Sequence, residues 1–421
     1  MHIQFSKKAG KQASVLLVSL VVAAILGAAL ASYLTMIGTQ NHAVARSQAW
    51  NSALNYAEAG VEEALAQMNA QGDLSANSWG VSSNGTFGPL TRSLAGGSYS
   101  VVIVTNPVTT IYSTGYVTVP IVGTVVSRTV KVTANSLPLI NVAFAALYNL
   151  DMNGYGLASD SWNSHDPNLS TNGHYDPTKT STNGSIASEF GIVDIGNHTI
   201  SGNLYLGPTA SYASSLGQIL GTIFDDYNVE FPDVVLPMST PLAAPITSLT
   251  VTNNNGRVSI SGYAHDFTVA GDYEVNDSYD IYVEPGVKVR LKVNVSNFSP
   301  ANIHVLGGIT NSGSLEVYQV SGSGSLTGNI TVDSNRPENF YYFGLPGVTA
   351  VTFGGTTSFI GVIYAPEAAL TLNGGGNNIG VVGASITKTI RMNGHYNFHY
   401  DESLGTNGPS RGFVPNSWAE L

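Results

Sequence analysis

The sequence predicts a mainly β protein with one long N-terminal α-helix. Helix and antiparallel sheet come first, and a β-solenoid domain, parallel β-helix-like, follows. Three observations carry this. A 26-residue uncharged and mostly apolar run, residues 13–38, stands near the N-terminus. Helical spacing continues beyond it and then gives way to three runs of alternating strand character between residues 97 and 134. From about residue 140 the texture changes to short apolar runs of three to six residues punctuated by Gly, Asn, Asp and Ser. With 46 glycines and only 10% charged residues in 421, the composition suits short strands and tight turns better than solvated helices.

The helix is justified first. The run "ASVLLVSLVVAAILGAALASYLTMIG" follows the basic cluster Lys7, Lys8 and Lys11. As a helix it is about 39 Å long, more than the roughly 30 Å hydrocarbon core of a bilayer requires. The basic side stays cytoplasmic by the positive-inside rule, which sends the rest of the chain across. A cleaved secretory signal is the competing reading, with Ala29-Leu30-Ala31 as a small-x-small site before Ser32. Against it, Tyr33, Leu34, Met36 and Ile37 prolong the apolar run. Trp50, Leu54, Ala57, Val61, Leu65 and Met68 then recur at intervals of three and four, and Gly72 is the expected stop.

The runs "GSYSVVIVT", "TTIYSTGYVTV" and "GTVVSRTVKVTA" predict a small sheet with one wet face, able to cover the apolar stripe of the helix. In the C-terminal body, Gly-Asn turns between very short strands favour stacked coils burying a column of Val, Ile, Leu and Phe, with a β-sandwich as the other architecture. "LPMSTPLAAPIT", residues 236–247, reads as a crossing segment or seam. Residues 159–184, polar and turn-rich, read as an exposed loop or cap outside the core. The expected division is a basic leader (1–12), a transmembrane and amphipathic helix (13–72), a small antiparallel sheet (73–136), the solenoid-like domain (137–404) and a C-terminal tail (405–421).

Charge excludes one class of function. The net charge is −11, and from Asp151 onward 23 acids face 9 basic residues. Phosphate neutralisation needs clustered cations, so no nucleic-acid partner is expected. The chain has no cysteine, which removes disulfides, thiolate catalysis and Cys-type zinc sites. No cofactor is expected. "NGGGNN" lacks the Lys-Ser/Thr of a phosphate loop and is simplest as a turn.

Candidate chemistry concentrates in "HYNFHYDESL", residues 395–404. On a strand, His395, Asn397, His399 and Asp401 share one face, and His399 and Asp401 are the best candidates for a ligand or metal. Two histidines four residues apart on a strand are separated by roughly 13 Å, too far for one ion, which favours a final structural strand closed by Tyr396, Phe398 and Tyr400. For a glycosidase, Asp225-Asp226, Asp272 with Glu274, or Asp401-Glu402 would be the carboxylates, and none has a catalytic motif around it.

The leader, the uncharged helix and "ALNYAEAGVEEAL" together resemble the N-terminal region of type IV pilin-like proteins, especially the PilX-type minor pilins. The ordered segments "DSWNS", "NGSIAS", "ISGNLYLGP", "FIGVIYAPEAALTLNGGGNNIGVVGASI" and "MNGHYNFHYDESL" are similar to β-solenoid-like modules on PilX-type bacterial envelope proteins. The resemblance implies cleavage by a prepilin peptidase after Gly10, leaving Lys11 as the first mature residue. It also implies a helix that packs into a filament through Val15, Trp50, Leu54, Val61 and Leu65. Major pilins carry a glutamate at the fifth mature position, and this chain has Val15 there. The implied protein is a minor subunit held in the bacterial inner membrane, with its body in the periplasm, at the cell surface or on a pilus. Its partners would be other pilin-like subunits or the pilus assembly machinery, and a surface glycan or protein ligand. The alternative is a membrane-tethered carbohydrate-active β-helix enzyme.

Overall fold

The computed structural model describes residues 9–70, 79, 85–106, 108–152, 158–238, 242–245, 247–248, 264–355, 358–374, 379–394 and 396–421. These fall into two compact units, one of residues 1–135 with 413–421 and one of residues 136–412. The class is mainly β with one long N-terminal helix, an antiparallel sheet in the first unit and a large, predominantly parallel sheet in the second.

In the first unit, helix α1 (Ala9–Asn69) is one continuous element of 61 residues, about 90 Å at 1.5 Å per residue. It ends at Asn69, three residues before the expected stop at Gly72. Strands β1 (Thr86–Leu94), β2 (Gly97–Val104), β3 (Thr110–Thr118) and β4 (Val125–Pro138) form an antiparallel meander. The three alternating runs in the sequence became β2, β3 and β4. Residues 405–421, expected as a tail, contain the strand Ser410–Glu420, the fifth of this sheet beside β4. Asn69 clamps its start, donating to the Phe413 carbonyl at 3.2 Å and accepting from the Phe413 amide at 2.6 Å.

The helix meets its sheet through small residues. Ala49, Ala53, Ala57, Gly60, Val61 and Ala64 are the buried positions, while Leu54 and Leu65 pack at the margin and Trp50 stays 45% exposed. The expected stripe of large residues is thus displaced by about one position towards alanine. The cause is close approach: a Cβ on Gly115 of β3 would overlap the Ala53 carbonyl oxygen, and one on Gly60 would overlap the Ser113 hydroxyl. Trp79, buried against the same cluster, completes this core.

In the second unit the chain alternates between two sheets. Asp280–Val283, Asn302–Val305 and Asn329–Val332 belong to a five-stranded sheet, and the intervening Lys288–Val293, Ser314–Leu326 and Phe340–Gly355 belong to the large one. Each circuit places the next strand parallel to the last, as in Leu315 opposite Phe340 and Tyr341 opposite Val362. Alternation along each strand turns Val289, Leu291 and Val293 inward and leaves Lys288 outside.

Spatial order departs from chain order. From Gly271–Val275 the large sheet runs strand by strand to Ile379–Asn393, and there it is continued by the unit's first strands, Phe144–Ala146 and Leu150–Met152. It then proceeds through Ile186–Ser188 and Leu204–Leu206 to Ile223–Phe224. The chain must therefore travel back along the whole stack between residues 224 and 271. The described residues 227–238 and 242–243 lie on that passage: the Tyr227 amide meets Leu206, the Pro232 carbonyl accepts from Tyr364 at 2.7 Å, the Pro237 carbonyl accepts from Arg290 at 3.3 Å, and Ala243 bridges to Tyr273. Tyr227, Phe231, Val234 and Met238 are buried along it.

One expectation is corrected here. Residues 159–184 open inside the strand Ala158–Trp162, where Ser159, Ser161 and Trp162 are fully buried, because this strand pairs with the chain's last coil at Phe398 to Asp401. Only the turns after Trp162 form a polar surface.

The tight helix–sheet contact yields a prediction. Gly115→Ala should cost about 1–3 kcal/mol of overpacking strain in the first unit. Urea unfolding of the detergent-solubilised chain should show a lowered midpoint, whereas Gly123→Ala, at an open turn with φ +74°, should cost less.

Candidate functional site

On the last coil, strand Tyr396–Asp401 pairs with Ile379–Asn393 on one side and Ala158–Trp162 on the other. Its inward residues Tyr396, Phe398 and Tyr400 are buried, and Phe398 meets Phe144 edge-on at 4.1 Å between ring centroids. That contact joins the last coil to the first.

The polar side carries the candidate cluster. His399 Nδ1 donates to Asp160 Oδ1 at 2.6 Å, the Tyr175 hydroxyl donates to Asp160 Oδ2 at 2.7 Å, and the Tyr175 ring stacks on the imidazole at 3.8 Å. Burial, and after it the hydrogen bond to Asp160, pushes the Tyr175 phenol up. The side chain of Asp401 faces another environment. Fully buried, its Oδ1 accepts from the Ser164 and Ser403 amides at 3.0 Å each, and its Oδ2 has no hydrogen-bond partner. Burial raises its pKa, and those hydrogen bonds offset part of the rise.

His399 and Asp401 are thus engaged with different partners, and His395 lies outside the described residues. Among the described residues no group of three or more His, Asp or Glu side chains is placed to hold a metal ion. The proposed carboxylate pairs are engaged as well. Asp272 takes a bidentate contact from Arg290 at 2.7 Å, Glu274 faces Lys292 at 3.5 Å, and Glu402 accepts from Ser161 and Asn183. Asp225 and Asp226 are exposed. Among the described residues these contacts tie strands and turns to one another.

A cavity of about 460 Å³, which the sequence did not signal, opens on the outer face of the large sheet in the same unit. Lys288, Glu316, Tyr318, Glu338, Tyr341 and Phe343 contribute to its wall. Strand register assembles it: Lys288 lies beside Ser314, Glu316 beside Tyr341, and Tyr318 beside Phe343. The Tyr318 hydroxyl donates to Glu316 at 2.8 Å, and its ring stacks on Phe343 at 4.8 Å.

On the helix, the residues singled out for filament packing separate. Val15 is 68% exposed, Trp50 is exposed beneath the Arg128 guanidinium at 5.3 Å, and Leu54, Val61 and Leu65 face the protein's own sheet. Gly10 and Lys11 fall within the first turns of α1. Glu63, beside that seam, accepts from Arg92 at 2.9 Å and from the Tyr99 hydroxyl. Burial pushes its carboxyl up, but these hydrogen bonds and the Arg92 charge outweigh that and leave its pKa lowered. The Tyr99 phenol is pushed up to about 12 by burial and by its bond to Glu63.

The buried Asp401 gives a pH prediction. A carboxyl whose folded pKa is raised destabilises the fold as pH climbs from the unfolded value through the folded one. Asp401→Asn should therefore be more stable than the parent at neutral pH by on the order of 1 kcal/mol, and the advantage should vanish below about pH 4. Urea titrations followed by near-UV circular dichroism at several pH values would measure it. A variant less stable than the parent at neutral pH, with the gap closing as the pH falls, would mean that the ionised carboxylate is the favoured form.

Residues 246–407 match a family model described as a domain of unknown function (DUF7305). No curated protein matches the chain. Among solved structures, the crystal structure of the competence-associated pilin ComZ from Thermus thermophilus aligns with 88% of this chain and 96% of its own at 12% sequence identity, with a TM-score of 0.26. At that score the alignment does not establish a shared fold.

Proposed function

We propose that this chain is a membrane-anchored, pilin-like minor subunit of the PilX type, which presents its stacked parallel coils as an exposed β-solenoid for pilus assembly or surface adhesion. The observation that carries the reading is the asymmetry of α1. Its apolar half, Val15 to Met36, has its side chains open to solvent and is long and apolar enough to cross a membrane. Its second half is packed on one side only, by its own sheet. A helix with an uncovered apolar half requires an apolar surrounding, which a bilayer or a bundle of like helices supplies.

In this reading Gly10 and Lys11 mark the processing point, and Val15 lies in the hydrophobic layer. Val15 offers no carboxylate to a neighbouring amino terminus, which suits a minor or priming position better than a place in a filament shaft. The body would lie beyond the membrane, on the side away from Lys7, Lys8 and Lys11. The cavity beside Glu316 and Glu338 supplies the carboxylates, hydroxyls and aromatic edges that a surface glycan would use.

The decisive measurement is mass spectrometry of the N-terminal peptide from sheared extracellular filaments and from washed membranes. A chain starting at Lys11 in the filament fraction is expected. An intact Met1 start confined to membranes would leave a tethered envelope protein, and a start at Ser32 would remove the anchor.

A further inference from the structure

The hairpin between β3 and β4 ends in an unusual tip. The sequence Val119-Pro120-Ile121-Val122-Gly123-Thr124 is apolar where turns are ordinarily polar. Ile121 is 81% exposed, Val122 49% and Val125 62%. Ile121 also adopts φ +75°, a conformation that strains a β-branched residue by about 1–3 kcal/mol. Two hydrogen bonds close the loop around it, from the Val119 amide to the Thr124 carbonyl at 2.8 Å and from the Gly123 amide to the Val119 carbonyl at 3.0 Å. Strain and exposure thus fall on the same apolar residue.

The place of this tip along α1 gives it meaning. Between helix and hairpin lies a cavity of about 740 Å³, lined by His42, Ala43 and Arg46 from the helix and by Val119, Ile121 and Val122 from the hairpin. The mostly apolar run 13–38 ends at Gly38, so His42 and Arg46 stand about 6 and 12 Å above it along the helix axis. The polar layer on each face of a bilayer is about 5–8 Å deep. With Gly38 at the hydrocarbon boundary, His42 falls inside that layer and Arg46, just beyond it, reaches back because helical side chains lean towards the N-terminus, so the tip stands at headgroup level.

Charge points the same way. There is no acid before Glu58 and none from residue 74 to residue 135, and Glu420 on the strand beside β4 is paired with Arg128, so Arg46 and the hairpin tip form a locally cationic and apolar surface in an otherwise acidic protein. The Arg46 guanidinium beside exposed aliphatic side chains matches an anionic phospholipid, phosphate against guanidinium and acyl chain against Ile and Val.

We propose that the β3–β4 tip is a second membrane contact. Ile121 and Val122 enter the boundary between headgroups and acyl chains, and the groove at His42 and Arg46 receives the phosphate of an anionic phospholipid. The proposal rests on α1 being a spanning helix. Its consequence is a fixed orientation: a helix alone can rotate about its axis, whereas a helix with a lateral foot at the surface holds one face of its sheet towards the membrane.

The absence of native cysteine makes the test direct. Single Ile121→Cys, Leu26→Cys and Val108→Cys forms of the full chain would carry an environment-sensitive fluorophore. Each would be reconstituted at one copy per nanodisc, in phosphatidylcholine with or without phosphatidylglycerol. The expected result is a blue-shifted label at position 121 that is shielded from aqueous iodide and quenched by headgroup-level spin-labelled lipid. The label at 26 should be quenched by mid-chain probes and that at 108 by neither. Arg46→Gln should abolish the phosphatidylglycerol-dependent part of the shift at position 121. A label at 121 behaving like that at 108, while 26 is shielded, would overturn the proposal and leave the anchor standing. Iodide access at 26 would instead remove the anchor. Shielding at 121 only in discs with two copies would assign the tip to a second chain and overturn the membrane contact. Val122→Cys repeats the measurement should the change at Ile121 relax the loop.

Discussion

The second unit depends on one joint, where its first coil is laid against its last. Phe144 and Phe398 meet at 4.1 Å, Ser385 donates its amide to Ala143, and the Tyr400 hydroxyl reaches the Ile140 carbonyl at 3.2 Å. An aromatic pair of this kind contributes about 0.5–1.5 kcal/mol beyond burial, a modest amount for a contact spanning most of the unit. Its importance is topological. Without it the large sheet would be two shorter stacks, each with an exposed edge at the level of Phe144 or Phe398. Joining them raises the mean sequence separation of contacts, which slows folding more than it weakens the folded state. The coils cannot simply be completed in order as the chain emerges, because those at residues 144–224 gain their neighbour only when residues 379–401 exist.

Given that joint, a returning segment after Phe224 becomes a necessity. The chain must go back along the stack, crossing strands whose backbone groups already pair with one another. Proline suits such a path because it demands no acceptor for an amide hydrogen. Pro232 and Pro237 offer their carbonyls instead, to Tyr364 and Arg290, while Phe231, Val234 and Met238, beside and between them, are buried in the core. The same arginine holds Asp272 with two hydrogen bonds, so strap and coil share one cation.

What could be read in the sequence follows from the range of each signal. Local periodicity revealed α1 and the strands β2 to β4, because one wet face imposes alternation within a few residues. β1 was missed: its Gly-Pro interruption hides the pattern, and the register shift between Phe87 and Leu90 is the structural trace of it. The strand Ser410–Glu420 was missed because nothing local says that a chain end returns to a sheet laid down some 300 residues earlier. The aromatic face of residues 396–400 was legible for the same reason as β2. The environment of Asp401 was not, since its carboxylate is received by the Ser164 amide, 237 residues away. The order of the coils has no local signature at all, because each coil presents a similar inward pattern to either neighbour.

The helix shows why burial and partner choice have to be separated. A stripe of large residues suggested either a filament seam or a sheet-facing core, and the structure divides it. Alanine and glycine take the closest contact, where β3 leaves no room for a longer side chain, and Val61 and Leu65 follow on the same side. Any other helix that packs on this one must therefore use the face turned away from the sheet, where Asn51, Asn55, Glu58 and Glu62 are exposed, while Trp50 sits at the margin of the sheet-facing side under Arg128 of β4. Arg128 in turn is fixed by Glu420 on the chain's last strand. This half-exposed tryptophan is thus oriented by both ends of the first unit. A lateral contact built on it would be sensitive to truncation of the C-terminus, even though no C-terminal residue need touch the neighbour.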